Sequence, residues 1–222
     1  MIVLIGGEKG GCGKTTIATN LATCLAAAGR DVLLLDADRQ GTAANWASER
    51  GERPELPAVQ CVQRFGNLFQ PIRDLAQRYQ DVVIDAGGRD SEELRTAMVA
   101  ADAMFSPLRA SQADLWTAEH VDQLVGLAKS FNPALRAFVF LTMAPTNPRI
   151  TEAADATEML GEFQHLAVAT SVVRDRKAYR DAMCEGKGAI ELADPKAAAE
   201  IHALTAEVLS HEQVQSSEAP IH

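Results

Sequence analysis

The sequence predicts an α/β domain, a mostly parallel sheet covered by helices on both faces. Three observations predict it. Strand-sized apolar runs alternate with helix-sized amphipathic runs along nearly the whole chain. The first apolar run passes through a glycine-rich, lysine-bearing turn straight into a helical pattern. Two later apolar runs close on aspartates, at the strand ends where open α/β sheets bind ligands.

Strands are expected at 2–5, 32–35, 59–62, 82–85, 103–106, 137–142 and 166–170. Between the first two, residues 14–28 place Ile17, Leu21 and Leu25 four apart, one face of a helix, and Gly29 ends it. Residues 41–57 are polar and read as a short helix followed by a loop marked by Gly51, Pro54 and Pro57. Gln112–Phe131 sets Leu115, Ala118, Val121, Val125 and Ala128 on one face and stops before Asn132-Pro133. Residues 196–209 form an alanine-rich helix, and 210–222 read as a frayed, flexible tail. Neither a repeat nor an interdomain linker is present, so 1–209 is expected to be one domain.

Bulk properties exclude several classes. No apolar run is long enough to span a bilayer, and the last helix carries Glu200, Glu207 and Glu212 against Lys196, the wrong face for membrane docking. The first residues are strand-like rather than a signal peptide. The four cysteines, Cys12, Cys24, Cys61 and Cys184, show no C-x-x-C spacing, so zinc, a disulfide framework and a shared iron–sulfur cluster are not indicated. A reducing, cytoplasmic location is the expectation. Formal net charge is −9, so any nucleic-acid contact must come from a local patch. His120, His165 and His202 lack metal-ligand spacing, and Trp46 and Trp116 read as packing residues.

The chemistry centres on Lys9-Gly10-Gly11-Cys12-Gly13-Lys14-Thr15-Thr16. Glycines let backbone N–H groups turn inward around phosphate, and the following helix adds its positive end. Lys14 is expected on the β/γ-phosphates and the Thr15 hydroxyl on Mg²⁺. The strict pattern needs glycine where Glu8 stands, and an additional lysine, Lys9, precedes Lys14 by five residues. Cys12 sits where a side chain could point outward. The second strand ends in Asp36-Ala37-Asp38-Arg39-Gln40-Gly41, with two carboxylates on one side of the strand. Asp36 is expected in the Mg²⁺ shell, and Asp38 on the attacking water. The fourth strand closes on Asp85, a Mg²⁺ contact through water, and Gly87-Gly88 permit backbone approach to a γ-phosphate.

Taken with Val83-Ile84-Asp85, these motifs resemble the ParA/MinD group of deviant Walker A P-loop ATPases, and within it the small ParA-type partition ATPases without an N-terminal helix-turn-helix domain. The likeness runs from residue 1 to about 194 and includes Arg176-x-x-Tyr179-x-x-Ala182 with Gly186 and Gly188. Arg39 replaces the family's proline, and Asp85-Ala86-Gly87-Gly88 departs from its usual loop. The resemblance implies ATP and Mg²⁺ as cofactors and hydrolysis to ADP and phosphate. It implies an ATP-dependent homodimer in which Lys9 reaches the partner's phosphates, catalysis by Lys9, Lys14 and Asp38, and nucleotide contact by residues 9–16. Asn147 is expected on adenine, although beside two prolines turn chemistry accounts for it equally. Non-specific DNA binding is implied for Arg174, Arg176, Lys177 and Arg180. A solvated face has the same mixed composition, with Asp175, Asp181 and Glu185 interleaved. The function implied is plasmid or chromosome partition at the nucleoid, stimulated by a ParB-like centromere-binding adaptor. Positioning of a protein cluster or microcompartment stays open beside it, as does a metabolic P-loop synthetase.

Overall fold

The computed structural model describes residues 1–147 and 163–218. Its strands are β1 (Ile2–Ile5), β2 (Val32–Asp36), β3 (Gln60–Gln63), β4 (Asp81–Asp85), β5 (Ala103–Leu108), β6 (Arg136–Ala144) and β7 (Ala167–Arg174). They form one sheet in the order β3-β2-β4-β1-β5-β6-β7, and every pair is parallel. Strand order reverses around β1, which lies between β4 and β5. The crevice at the carboxyl end of β1 is therefore the place where such a sheet takes a ligand.

The central strands are apolar throughout because both faces are covered; β1, β2 and β4 are buried at every position. Helices α1 (Lys14–Ala27), α2 (Thr42–Gly51), α6 (Lys177–Cys184) and α7 (Pro195–Glu218) cover one face. Helices α3 (Phe69–Ala76), α4 (Glu92–Ala100) and α5 (Gln112–Lys129) cover the other. Ile17, Leu21 and Leu25 are each 1% exposed or less, and α1 also packs on α7, which is why it is buried nearly all round. On α5 the expected face is buried at Ala118, Val121, Val125 and Ala128; the side chain of Leu115 lies outside what the structure describes. Trp46 is buried with its indole N–H on Lys187 O at 3.0 Å. Trp116 is 66% exposed and does not pack a helix as expected.

Of the boundaries that differ, two have plain physical reasons. β5 runs through Pro107 to Leu108 because its pairing with β1 ends at Phe105, so the missing proline N–H faces no neighbour there. α7 continues to Glu218, past the expected tail boundary at 209, since no proline or glycine interrupts it before Pro220. Residues 219–222 lie outside the described chain.

Candidate functional site

The ends of β1, β2, β4, β5 and β6 and the starts of α1, α2 and α5 build the site. Gly13 takes the left-handed conformation (φ 88°) that starts α1, and Gly11 does likewise (φ 75°), so both turn positions favour glycine. The loop is braced from outside: the Thr142 hydroxyl donates to Cys12 O at 2.9 Å, and Arg109 Nη2 donates to Gly11 O. Cys12 points inward, 2% exposed, rather than outward. Burial pushes its thiol up against the pull of Lys14.

Both lysines of the motif are occupied. Lys14 is buried, and its ammonium donates to Lys9 O at 2.6 Å. The Lys9 ammonium reaches across to α5 and pairs with Asp114 Oδ2 at 2.6 Å. Just before it, Glu8 Oε2 meets His120 Nδ1 at 2.6 Å. Glu8, Asp90 and His120 together hold ligand atoms within 4.8 Å of one another, a grouping that spacing along the chain conceals. Asp90 is already committed to Arg95 through both oxygens.

The acidic side of the site is ordered by backbone. Asp36, fully buried, accepts from Asp38 N at 3.0 Å and Ala44 N at 2.9 Å, which fixes the loop leading into α2. Burial raises its pKa, and those two hydrogen bonds resist the rise. Asp38 is half-buried and accepts from Gln40 N at 3.0 Å. Asp85 is different. It is 1% exposed, and neither oxygen has a partner of hydrogen-bond geometry. Burial drives it up to about 7, against the pull of the nearby Thr15 hydroxyl and Lys14. A buried carboxylate without partners, beside a hydroxyl and an ammonium, has the donor set of a hard divalent cation bound with phosphate. Asp85 and Thr15 therefore fit a Mg²⁺ ion, while Asp36 spends its hydrogen bonds on the loop.

The loop after β4 closes over the cradle. A Cβ at Gly88 would stand 2.8 Å from Gly10 N and 3.0 Å from Lys14 Nζ, so this loop touches the phosphate turn. Cavities lie to either side. One of about 470 Å³ is lined by Gly10, Asp38, Gln40, Gly87, Gly88 and Arg89 among others. The other, of about 400 Å³ and mainly apolar, is lined by Cys12, Thr16, Met143, Arg174, Tyr179 and Met183 among others. Met143, a non-glycine residue at φ 51°, lines this cavity beside Gly13. Asn147 follows β6 and is not among the described residues lining it.

The basic residues expected on DNA are each paired, although Lys177 and Arg180 stay 80% and 66% exposed. Arg176 donates to Glu200 Oε1 at 2.7 and 2.9 Å, and Arg174 donates to Pro145 O at 2.7 Å beside the same carboxylate. Lys177 pairs with Asp181 at 2.8 Å and Arg180 with Asp175 at 2.6 Å. Arg174, Arg176 and Arg180 also line the apolar cavity. Sequence reasoning missed Asp114, Arg109 and Thr142, whose signals are faint. Only Ser111-x-x-Asp114 at the start of α5, a helix-capping pattern, could have drawn attention to Asp114.

Comparison with known proteins gives the family and the fold. Residues 3–190 match the family described as the CobQ/CobB/MinD/ParA nucleotide binding domain. The chain is 33% identical over 208 residues to maintenance of carboxysome distribution protein A of Halothiobacillus neapolitanus, covering 90% of this chain and 93% of that protein. It is 30% identical over 224 residues to the chromosome partitioning protein ParA of Caulobacter vibrioides, covering 80% and 83%. Among solved structures, apo McdA of Cyanothece has a TM-score of 0.77 at 16% identity, covering 93% of this chain and 98% of that one. Its ATP complex has a TM-score of 0.72, also at 16%, covering 94% and 96%. At those identities the structural likeness shows the fold.

Proposed function

Because the chain belongs to the CobQ/CobB/MinD/ParA nucleotide-binding family, we propose that it is an ATPase whose ATP-bound homodimer positions a cargo. The observation that carries the reading is the occupied cradle: Lys14 held on Lys9 O beside the unpartnered carboxylate of Asp85. In this reading the phosphates replace Lys9 O as the partner of Lys14 and take the backbone N–H groups of residues 10–16. Asn147 has no part in this arrangement; the base enters the apolar cavity beside Met143 and Tyr179. The γ-phosphate faces the second cavity, where Asp38 orients a water for in-line attack. The oxygen–phosphorus bond to the water forms as the β–γ bridge breaks, and ADP and phosphate leave. Mg²⁺, when bound by Thr15 and Asp85, neutralises charge on the β- and γ-oxygens. Asp36 acts at one remove by holding the Asp38 loop.

Lys9 supplies the remaining cation in trans. Charge spreads over the γ-oxygens in the transition state, and a second ammonium from the partner stabilises it as an arginine finger does. Hydrolysis is thereby tied to dimerisation. We take residues 1–209 as the ATPase domain.

For the cargo, the near full-length similarity to the Halothiobacillus carboxysome-distribution protein favours a protein assembly. DNA partition through a ParB-like adaptor is the second reading, supported by the similarity to the Caulobacter protein. Either use calls for a matrix, and non-specific DNA gripped by two copies of a weak patch would serve through avidity. The test is sizing chromatography with Mg²⁺ and ATP on wild type, Lys14→Ala, Lys9→Ala and Asp38→Ala. Lys14→Ala should lose nucleotide, Lys9→Ala should stay monomeric, and Asp38→Ala should accumulate as the ATP dimer. A Lys9→Ala protein that dimerises normally refutes the trans role. Deleting the gene then separates the cargoes: clumped protein bodies support the first reading, lost replicons the second.

A further inference from the structure

Lys9 is not waiting in solvent. Its ammonium lies 2.6 Å from Asp114 Oδ2, a carboxylate only 1% exposed, while the lysine side chain itself is 36% exposed. Asp114 is fixed from its own side. Ser111 caps α5, accepting from Asp114 N at 3.3 Å, and the Ser111 hydroxyl in turn contacts Asp114 Oδ2. The second oxygen, Asp114 Oδ1, is buried and has no hydrogen-bond partner among the described residues. Lys9 is thus paired with a buried carboxylate that α5 cannot move without breaking its cap.

We infer that Asp114 is a positioning residue that parks Lys9 on its own protomer until nucleotide and a second copy compete for it. The inference rests on the reading that Lys9 acts in trans. The competition is built into one residue. The Lys9 carbonyl holds Lys14 at 2.6 Å and Cys12 Sγ at 3.3 Å, while the Lys9 side chain holds Asp114. A phosphate that draws Lys14 away strips Lys9 O of its strongest donor and loosens the backbone that carries the parked ammonium. ATP binding and Lys9 release are then coupled through a single peptide unit.

Parking sets the dimerisation threshold by population. If the ammonium is free for about a tenth of the time, each protomer loses about tenfold in apparent affinity, and a symmetric pair loses roughly a hundredfold. Asp114→Asn keeps the shape and the capping hydrogen bond but removes the charge. In the full chain, with Mg²⁺ and a non-hydrolysable ATP analogue, its monomer–dimer midpoint by analytical ultracentrifugation should fall by about ten- to a hundredfold. Acylation of Lys9 in the nucleotide-free variant, followed by peptide mass spectrometry, should speed up by a similar factor per protomer, a change that a merely structural Asp114 would not cause. An unchanged or raised midpoint, with Lys9→Ala still unable to dimerise, overturns the inference and leaves the trans reading standing. A Lys9→Ala protein that dimerises like wild type overturns both. Should Asp114→Asn not fold by circular dichroism, wild type decides alone. Its Lys9 should acylate at least about fivefold more slowly than Lys196, which is exposed and has no ion pair among the described residues. Equal rates overturn the inference.

Discussion

Replacing Gly88 by alanine tests whether the loop after β4 closes the phosphate cradle. The added Cβ would stand 2.8 Å from Gly10 N, 3.0 Å from Gly10 Cα and 3.0 Å from Lys14 Nζ. Ordinary contact begins near 3.4 Å, so the nearest atom is about 0.6 Å too close. Two of the three atoms are backbone of the turn that must wrap phosphate, and they cannot rotate aside as a side-chain end could. Relief has to come from moving the loop or the turn. Overpacking of this kind costs about 1–3 kcal/mol, roughly 5- to 150-fold in an equilibrium constant. Gly87→Ala is the internal control. Its Cβ would meet Asp38 Cγ at 3.3 Å and the carboxylate oxygens at 3.4 and 3.5 Å, atoms that can yield by a small torsion. Titration with a fluorescent ADP and steady-state phosphate release in excess Mg²⁺ separate the two. Gly88→Ala should weaken ADP binding about tenfold and slow hydrolysis by at least that much. Gly87→Ala should bind ADP within about twofold of wild type and lose turnover only, because it touches Asp38. If Gly88→Ala binds and hydrolyses within twofold of wild type, or Gly87→Ala binds ADP the worse of the two, the described closure is wrong.

Three further outcomes are expected. A carboxyl raised to about 7, as burial raises Asp85, binds its proton more tightly folded than unfolded, so the nucleotide-free protein loses stability as pH climbs from about 4 to about 7. Asp85→Asn should flatten that slope and melt above wild type at pH 8 without Mg²⁺; melting below wild type there would contradict the burial argument. Arg50 is 3% exposed, pairs with Glu191 at 2.8 and 2.9 Å, and donates to the carbonyls of Pro57 and Gly186. Arg50→Ala strips that carboxylate of its cation and leaves it only the Gly188 N–H at 2.9 Å, a loss of about 3–5 kcal/mol, and calorimetry should show the melting point lowered by roughly 6–20 °C. The Asp175→Asn, Asp181→Asn double variant releases Arg180 and Lys177 from exposed pairs. By anisotropy it should bind duplex DNA several-fold tighter than wild type with ATP, with a steeper salt dependence; unchanged binding would remove this helix from the DNA surface.

The parts legible in the sequence are those written in consecutive residues. The buried runs of β1, β2 and β4 and the 17, 21, 25 stripe of α1 follow from periodicity, and the phosphate turn follows from its glycines. α3, α4 and α6 were harder. α3 buries only Ile72 and carries Pro71 in its first turn. α4 did carry a start signal, Ser91 followed by Glu92 and Glu93, with the Ser91 hydroxyl accepting from Leu94 N at 3.1 Å. The partners of the site residues were not legible at all. Asp114 meets Lys9 across 105 positions and Thr142 meets Cys12 across 130, because both come from the far side of the strand-order reversal. Nor could composition tell that the late arginines are paired. Glu200, which holds Arg176 and sits beside Arg174, lies a whole helix further along.

Those pairings bear on how a chain of net charge −9 can run an anion-driven switch. Lys9 on Asp114, Lys14 on Lys9 O and Arg176 on Glu200 are each satisfied before any nucleotide arrives. A phosphate that draws on these three cations therefore binds by an exchange of partners. Exchange has a thermodynamic advantage over simple capture. The count of charge-assisted contacts stays nearly constant, so the two arrangements differ by little, and couplings of about 1–3 kcal/mol are enough to tip one into the other. Free lysines at the same positions would bind phosphate more tightly and leave the bound and empty states too far apart in energy for hydrolysis of one bond to reset them. The occupied lysines are on this argument what makes the cycle reversible, and a variant that frees Lys9 should hold its dimer longer after hydrolysis as well as form it sooner.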